Sequence, residues 1–186
     1  NSDIGNNLVI LTATDDFKAS AIQSFIITVS NVNDTPTVTS TALTSSTEDS
    51  AYSYTFAASD VDSGDTITYA ATTLPSWLAF NAGTGVLSGT PTNSEVGTHS
   101  VVLTATDTTG AVDTQSFTIT VSNVNDTPTV TSTAITSATE GSLYSYTFAA
   151  SDVDSEDTIT YAATTLPSWI NFNGDTGVLS GTPTYA

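Results

Sequence analysis

Tyr52-Ser53-Tyr54-Thr55-Phe56-Ala57-Ala58 puts a large or apolar side chain at every second position. Successive side chains of a strand point to opposite faces, so this alternation predicts a half-buried β-strand with its aromatic face toward a core. The pattern continues outward. Ile67, Tyr69 and Ala71 share it, as do Val101, Leu103 and Ala105 set between Ser100, Val102 and Thr104. Phe117, Ile119 and Val121 repeat it between Thr118, Thr120 and Ser122, and shorter runs stand around Val38, Trp77 to Phe80, and Val86 to Leu87. Turn signals separate them: Asp62-Ser63-Gly64-Asp65, Gly83-Thr84-Gly85, Gly89-Thr90-Pro91 and Thr109-Gly110. No stretch shows a helical period. About seven short strands with a turn every 8 to 12 residues predict an all-β antiparallel sandwich of immunoglobulin-like type.

The chain repeats itself. Asn31-Val32-Asn33-Asp34-Thr35-Pro36-Thr37 recurs 92 residues later as Asn123-Val124-Asn125-Asp126-Thr127-Pro128-Thr129, and the same offset relates Asp60 to Asp152, Trp77 to Trp169, Asp15 to Asp107 and Phe25 to Phe117. The expected organisation is a complete unit at 31–122, preceded by the C-terminal part of one repeat at 1–30 and followed by the N-terminal part of another at 123–186. Residues 1–30 would hold only the last two strands, and 123–186 only the first five. Each would leave an apolar sheet face uncovered. Joining Ala186 to Asn1 would reproduce the Ser88 to Gly97 stretch with two additional residues. The chain is thus expected to be one period of a larger array, its ends completed by neighbouring copies or by flanking sequence; an arbitrary boundary is the alternative.

Composition narrows the function. One lysine, Lys18, stands against 19 acids with no arginine, and the formal net charge is -18. Such a chain repels a polyanion and lacks the clustered cations that phosphates require, which excludes nucleic-acid binding. No apolar run approaches the ~20 residues of a spanning helix, so membrane insertion is not expected. Without cysteine there is neither a disulfide framework nor a thiolate metal site. The lone His99 has no second histidine or cysteine to work with, and the acids recur with the repeat rather than converge on one cleft, so no enzymatic activity is expected.

Leu74-Pro75-Ser76-Trp77-Leu78-Ala79-Phe80-Asn81 followed by Gly85-Val86-Leu87-Ser88-Gly89-Thr90-Pro91-Thr92, repeated at Leu166 to Thr184, resembles the signature of dystroglycan-type cadherin-like and related "putative Ig" repeats of large bacterial surface adhesins. The resemblance implies tandem cadherin-like sandwiches that bind calcium between consecutive domains. Asn31-Val32-Asn33-Asp34 is similar to the cadherin linker, with Asn in place of its first Asp. Asp60-Val61-Asp62 looks like the DxD motif, and Ala105-Thr106-Asp107 like the later AxD motif. Asp3 or Glu95 stands where paired acids of a preceding domain would be, and Glu48 and Glu140 where a glutamate follows the first strand.

Calcium has its own physical warrant. It takes about six to eight oxygen ligands from carboxylates, Asn side chains and carbonyls. Two carboxylates about 4 Å apart repel by roughly 4 kcal/mol at an effective dielectric near 20. With one lysine in the chain no side-chain counter-charge is available, so a cluster of three or more needs a bound cation, protonation or separation. The expected sites are one junction formed by Asp3, Asn31, Asn33, Asp34, Asp60, Asp62 and Asp107, and the next by Glu48, Glu95, Asn123, Asn125, Asp126, Asp152 and Asp154. Asp65 and Asp157 are weaker candidates. Asn33-Asp34-Thr35 also fits a glycosylation sequon, on atoms better suited to the metal.

The expected function is a non-enzymatic extracellular spacer or filament shaft of a bacterial cell-surface adhesin, stiffened by calcium, with neighbouring copies of the repeat as head-to-tail partners and cell-surface glycans or other adhesins as further ones. Two alternatives stay open. A self-assembling filament subunit would complete its half-domain 123–186 with residues 1–30 of the next copy. A carbohydrate-binding accessory module would display Trp77 and Trp169 as sugar platforms, where the flanking apolar residues favour core packing.

Overall fold

A computed structural model describes residues 2–185. They divide into two compact units, 1–122 and 123–186, each considered by itself.

The first unit opens with a hairpin, β1 (Gly5–Thr14) and β2 (Ser20–Val29), in continuous antiparallel register from Gly5 opposite Val29 to Thr14 opposite Ser20. The sandwich follows with β3 (Thr37–Val38), β4 (Ser45–Thr47), β5 (Tyr52–Thr55), β6 (Ala58–Ser59), β7 (Thr68–Thr73), β8 (Leu78–Asn81), β9 (Val86–Gly89), a 3-10 turn at Asn93–Glu95, β10 (Gly97–Thr106) and β11 (Val112–Ser122). One sheet has the order β4-β11-β10-β7 and the other β5-β9-β8, with β3 and β6 paired beside them. This is the expected all-β sandwich, in nine strand segments rather than seven. The difference has two causes. Between β3 and β4 the chain changes partners: β3 pairs antiparallel with β6, and β4 runs parallel to β11. Beyond Thr55 the backbone leaves the ladder, and the Phe56 amide bonds to Gly85 O at 2.8 Å.

The alternation seen in the sequence becomes the core. Tyr52, Tyr54, Phe56, Leu78 and Leu87 from one side meet Val101, Leu103, Ala105, Ile119 and Val121 from the other, all buried, while Ser53 and Thr55 face solvent. Aromatic rings lock edge to face: Tyr54 on Phe117 at 5.7 Å and Phe56 on Tyr69 at 5.2 Å. The tyrosine hydroxyls are satisfied at the rim. Tyr52 donates to Leu43 O at 2.7 Å and Tyr54 to Gln115 Oε1 at 2.6 Å. Burial, with Tyr54 alongside, pushes the Tyr52 hydroxyl up to about 12, which keeps it a donor.

The Gly-Val-Leu-Ser-Gly run is shaped by close backbone approach. A Cβ on Gly89 would stand 2.0 Å from Trp77 O, and one on Gly85, at φ +70°, would stand 2.4 Å from Phe56 O. The copies Gly181 and Gly177 meet Trp169 O and Phe148 O in the same way. Both repeats therefore need glycine at both positions.

The second unit contains β12 (Thr129–Val130), β13 (Tyr144–Thr147), β14 (Ala150–Ser151), β15 (Ile170–Asn173) and β16 (Val178–Gly181), in sheets β12-β14 and β13-β16-β15. These match β3, β5, β6, β8 and β9 in register: Tyr146 opposes Leu179 as Tyr54 opposes Leu87.

Two substitutions test this packing. Leu103→Ala should cost about 2–5 kcal/mol, as for other buried leucines. Gly89→Ala should cost about 1–3 kcal/mol, because the added methyl meets backbone that cannot swing away. Urea unfolding followed by circular dichroism measures both, and wild-type stability for either variant would refute the packing assigned to it.

Candidate metal centre

The linker leading into the sandwich is tied down by carboxylates. The Asp34 amide donates to Asp62 Oδ2 at 2.6 Å, the Asp62 amide to Asp60 Oδ1 at 2.9 Å, and Asn33 Nδ2 to Asp107 Oδ2 at 2.8 Å. Asp60 and Asp62 sit just past β6, Asp65 in the same loop, and Asp107 at the end of β10. The Asp65 amide returns to Asp62 O at 3.2 Å, and its Oδ1 accepts from Thr108 Oγ1 at 2.8 Å.

Carboxylate oxygens of Asp60, Asp62 and Asp65 lie within 4.8 Å of one another. Asp60 Oδ2 and Asp65 Oδ2 are enclosed, with no hydrogen-bond partner. An enclosed anionic oxygen without a donor is costly, and three acids at this spacing repel one another. The single lysine is no remedy, because Lys18 occupies the exposed turn between β1 and β2. The donor set, hard oxygens at loop ends, suits calcium. Asp60, Asp62 and Asp65 would hold the ion, with Asn33 and Asp34 adjacent.

Asp3, Asn31 and Asp34 line one groove at the base of the hairpin, together with Val29. The first predicted set is thus distributed: Asp3 and Asn31 with Asp34 in that groove, and Asn33, Asp34, Asp60, Asp62 and Asp107 in the hydrogen-bonded network. Asp65, a weaker candidate in the sequence, belongs with Asp60 and Asp62 to the cluster whose oxygens lie within 4.8 Å of one another. Its pairing with Thr108, across the loop ends, left no signal in the local sequence.

Asp107 has a structural task of its own. Its Oδ1 accepts from the amides of Thr109, Gly110 and Ala111 at 2.8, 2.7 and 2.8 Å and from Thr109 Oγ1 at 3.0 Å, closing the β10–β11 turn. Asp15, its counterpart in the hairpin, accepts from the Ala19 amide at 2.8 Å. The Asn33 donor is the leading reason that the buried Asp107 carboxyl is held down at about 2, with the turn donors adding to it against the cost of burial.

Of the second set, Glu48 and Glu95 belong to the first unit. Glu48 is buried just after β4, its amide donating to Ser122 O at 3.1 Å. Glu95 caps the 3-10 turn, where its Oε2 accepts from the Thr92 amide at 2.9 Å and the Thr92 hydroxyl at 2.7 Å. The Thr92 hydroxyl and amide hold that carboxyl below its ordinary value. The second unit repeats the linker geometry. Asn125 Nδ2 donates to Asp126 O at 2.7 Å, the Asp126 amide to Asp154 Oδ2 at 2.7 Å, and the Asp154 amide to Asp152 Oδ1 at 3.1 Å. The Asp157 amide bonds to Asp154 O at 3.1 Å, as Asp65 bonds to Asp62. Asn123 lies at the exposed start of this unit, and Glu140 is exposed in the turn before β13.

Trp77 and Trp169 pack edge-on against Tyr52 and Tyr144, each at 5.8 Å, and Trp77 also meets His99 at 5.9 Å. His99 Nε2 lies 2.6 Å from Glu95 O, where Asn7 Nδ2 donates to Asp3 O at 2.9 Å in the hairpin. The histidine thus does the work of an amide.

Fold and linker together define an immunoglobulin-like, cadherin-like β-sandwich repeat. The chain belongs to the family described as "Putative Ig domain", matched over residues 35–122 and 127–186. It is 34% identical over 121 residues to the "Serine-rich adhesin for platelets" of Staphylococcus aureus strain MRSA252, an alignment covering 64% of this chain and 9% of that protein. Among solved structures it is similar in fold to PcdhgB3 EC1-4, with TM-score 0.63 and 19% identity over 97% of this chain and 49% of that one. Human CDH23 EC21-23 gives TM-score 0.58 and 18% identity over 96% and 64%.

The Asp107 shift has a definite sign. A carboxyl lowered by folding stabilises the folded state fully above its unfolded value of about 3.9, and that contribution is lost as pH falls toward about 2. In chelator, stability should therefore decline between about pH 4 and pH 2 less steeply in Asp107→Asn than in the wild type, as read from urea unfolding at stepped pH. Equal slopes would remove Asp107 as a source of that decline.

Proposed function

We propose that this chain is a non-enzymatic repeat segment of a bacterial cell-surface protein, serving as an extracellular spacer or shaft whose linkers are stiffened by calcium. The observation that carries the reading is the Asp60, Asp62 and Asp65 cluster, with two enclosed and unpartnered carboxylate oxygens, bonded through Asp62 to the linker amide of Asp34. The recurrence of that linker bond between Asp126 and Asp154 supports a device used once per repeat. Similarity to a staphylococcal adhesin supports the surface location, and membership of a sandwich-repeat family supports a mechanical role over a catalytic one.

An ion here would neutralise the three acids and join the β6–β7 loop to the residue that enters the sandwich. A hinge at Asn33 and Asp34 would then lose its freedom. Extracellular modules hold calcium with dissociation constants of about 0.1–1 mM, so the site would fill outside a cell and empty inside one.

Thermal melts in millimolar calcium and in excess chelator test this. At about 100-fold excess over the dissociation constant the ion adds about 2.7 kcal/mol, which should raise the melting temperature on the order of 10 °C. Asp60→Asn should melt higher than the wild type in chelator, because a repulsion is relieved, and lose the calcium response. An identical melt with and without calcium would end the proposal.

A further inference from the structure

In the complete repeat, 31–122, the strand that enters is bonded to the strand that leaves. β4 runs parallel to β11, with Ser45 opposite Thr120, Ser46 opposite Val121 and Thr47 opposite Ser122. Every other strand pairing among the described residues is antiparallel. Backbone bonds close both ends of this short ladder: the Thr120 amide donates to Thr44 O at 2.9 Å and the Glu48 amide to Ser122 O at 3.1 Å. Side chains of β11 continue it toward the linker. The Val38 amide donates to Asp113 Oδ2 at 2.8 Å, and Gln115 Nε2 donates to Ser40 O at 2.7 Å. From Val38 to Glu48 the entering chain is thus fastened along the strand by which the chain leaves. All of these contacts lie within 31–122, and repeat sequence stands on both sides of it.

Direction decides what such a seam does. Parallel strands start at the same end, so the chain enters the ladder at one end and leaves it at the other. Tension carried through the backbone pulls β4 back toward Asn33 and Asp34 and pulls β11 onward past Ser122. The two forces are opposed along the ladder, and its bonds are strained together as the strands are driven to slide. An antiparallel hairpin pulled apart at its open end would instead lose its bonds one pair at a time. A single backbone bond resists little, whereas several that must break in one event raise the barrier. Forced unfolding is governed by that barrier rather than by overall stability. On its other flank β11 is held by ten consecutive pairs with β10, from Gly97 opposite Val121 to Thr106 opposite Val112. The β4 side, with three pairs, is the weaker seam, and its parting sets the yield point.

We infer that the β4–β11 seam, extended by Asp113 and Gln115, is a shear lock that lets the repeat transmit tension without unravelling. Its use in this way rests on the reading of the chain as a surface shaft. The lock itself needs neither calcium nor a second copy.

Single-molecule force spectroscopy of the full chain in chelator tests the lock apart from the calcium site. The chain has no cysteine, so introduced pairs can serve as handles. Val32→Cys with Val124→Cys, at positions 81% and 47% exposed, pulls the repeat end to end. Thr98→Cys with Ser122→Cys, both exposed at the open end of the β10–β11 ladder, peels that ladder pair by pair. The end-to-end geometry should yield at the higher force and release about 300 Å, the span of the extended repeat. Ser46→Pro deletes an amide that the parallel register aims at Thr120 O, and should lower the end-to-end force. Gln115→Ala should lower it in the same sense. Leu103→Ala, although it removes more of the core, should lower it less than Ser46→Pro. Circular dichroism checks that each variant is folded, and Gln115→Ala carries the test if Ser46→Pro is not. Equal forces in the two geometries would overturn the inference, as would an end-to-end force that the folded seam variants leave unchanged.

Discussion

A strand that is apolar on one face and polar on the other makes two demands: a cover for the apolar face and a partner along each open edge. Everything in this chain follows from where those demands are met. In 31–122 they are met internally, since two sheets supply each other's cover and Leu87, Val101, Leu103 and Ile119 lose all exposure. In the first 30 residues and in the second unit the same strands occur without their counterparts. There Leu11 is 51% and Ile27 49% exposed. The contrast within one polypeptide separates intrinsic strand propensity from tertiary pairing, for Thr-Tyr-Ala-Ala-Thr-Thr is a strand where β10 lies beside it and irregular where nothing does.

Charge is organised by a second scarcity. With 19 acids and a single lysine, carboxylates cannot be paired with side-chain cations and must be satisfied by amides and hydroxyls. Asp107 shows the complete solution, five donors on two oxygens. Asp60 and Asp65 show the incomplete one, each with one oxygen bonded and the other enclosed. The difference separates an acid whose oxygens are satisfied within a loop from acids that keep one oxygen enclosed and unbonded. Both kinds converge on the linker, so the entry to the sandwich is where local electrostatics and chain direction are coupled.

Much of this was legible in the sequence, for definite reasons. Alternation at Tyr52, Tyr54 and Phe56 is a local signal that survives folding, and the 92-residue offset carries information about neighbours that no single repeat contains. Asp60, Asp62 and Asn33 could be named from their motifs. The membership of Asp65 could not, because it depends on Thr108 being brought across from another loop. Nor could the division of labour between Asp107 and Asp60, which turns on donor counts that only three-dimensional closure decides. The exchange of partners between β3 and β4 escaped the period-2 pattern because both segments are too short to display a period. Glu95 has the residue type of a ligand, yet its carboxylate is engaged by Thr92, three residues away, a capping arrangement that residue type alone does not reveal.

The position of Lys18 has a consequence for survival in a hostile medium. It stands at φ 67° in the exposed turn joining β1 to β2, where its amide bonds to Asp15 O. A trypsin-like protease, which cleaves after lysine and arginine, finds in these 186 residues one peptide bond to attack, Lys18–Ala19. A cut there severs a turn whose flanking strands remain held by a ten-residue ladder. The near absence of cations, which elsewhere exposes the acids to one another, makes the chain almost invisible to that class of enzyme.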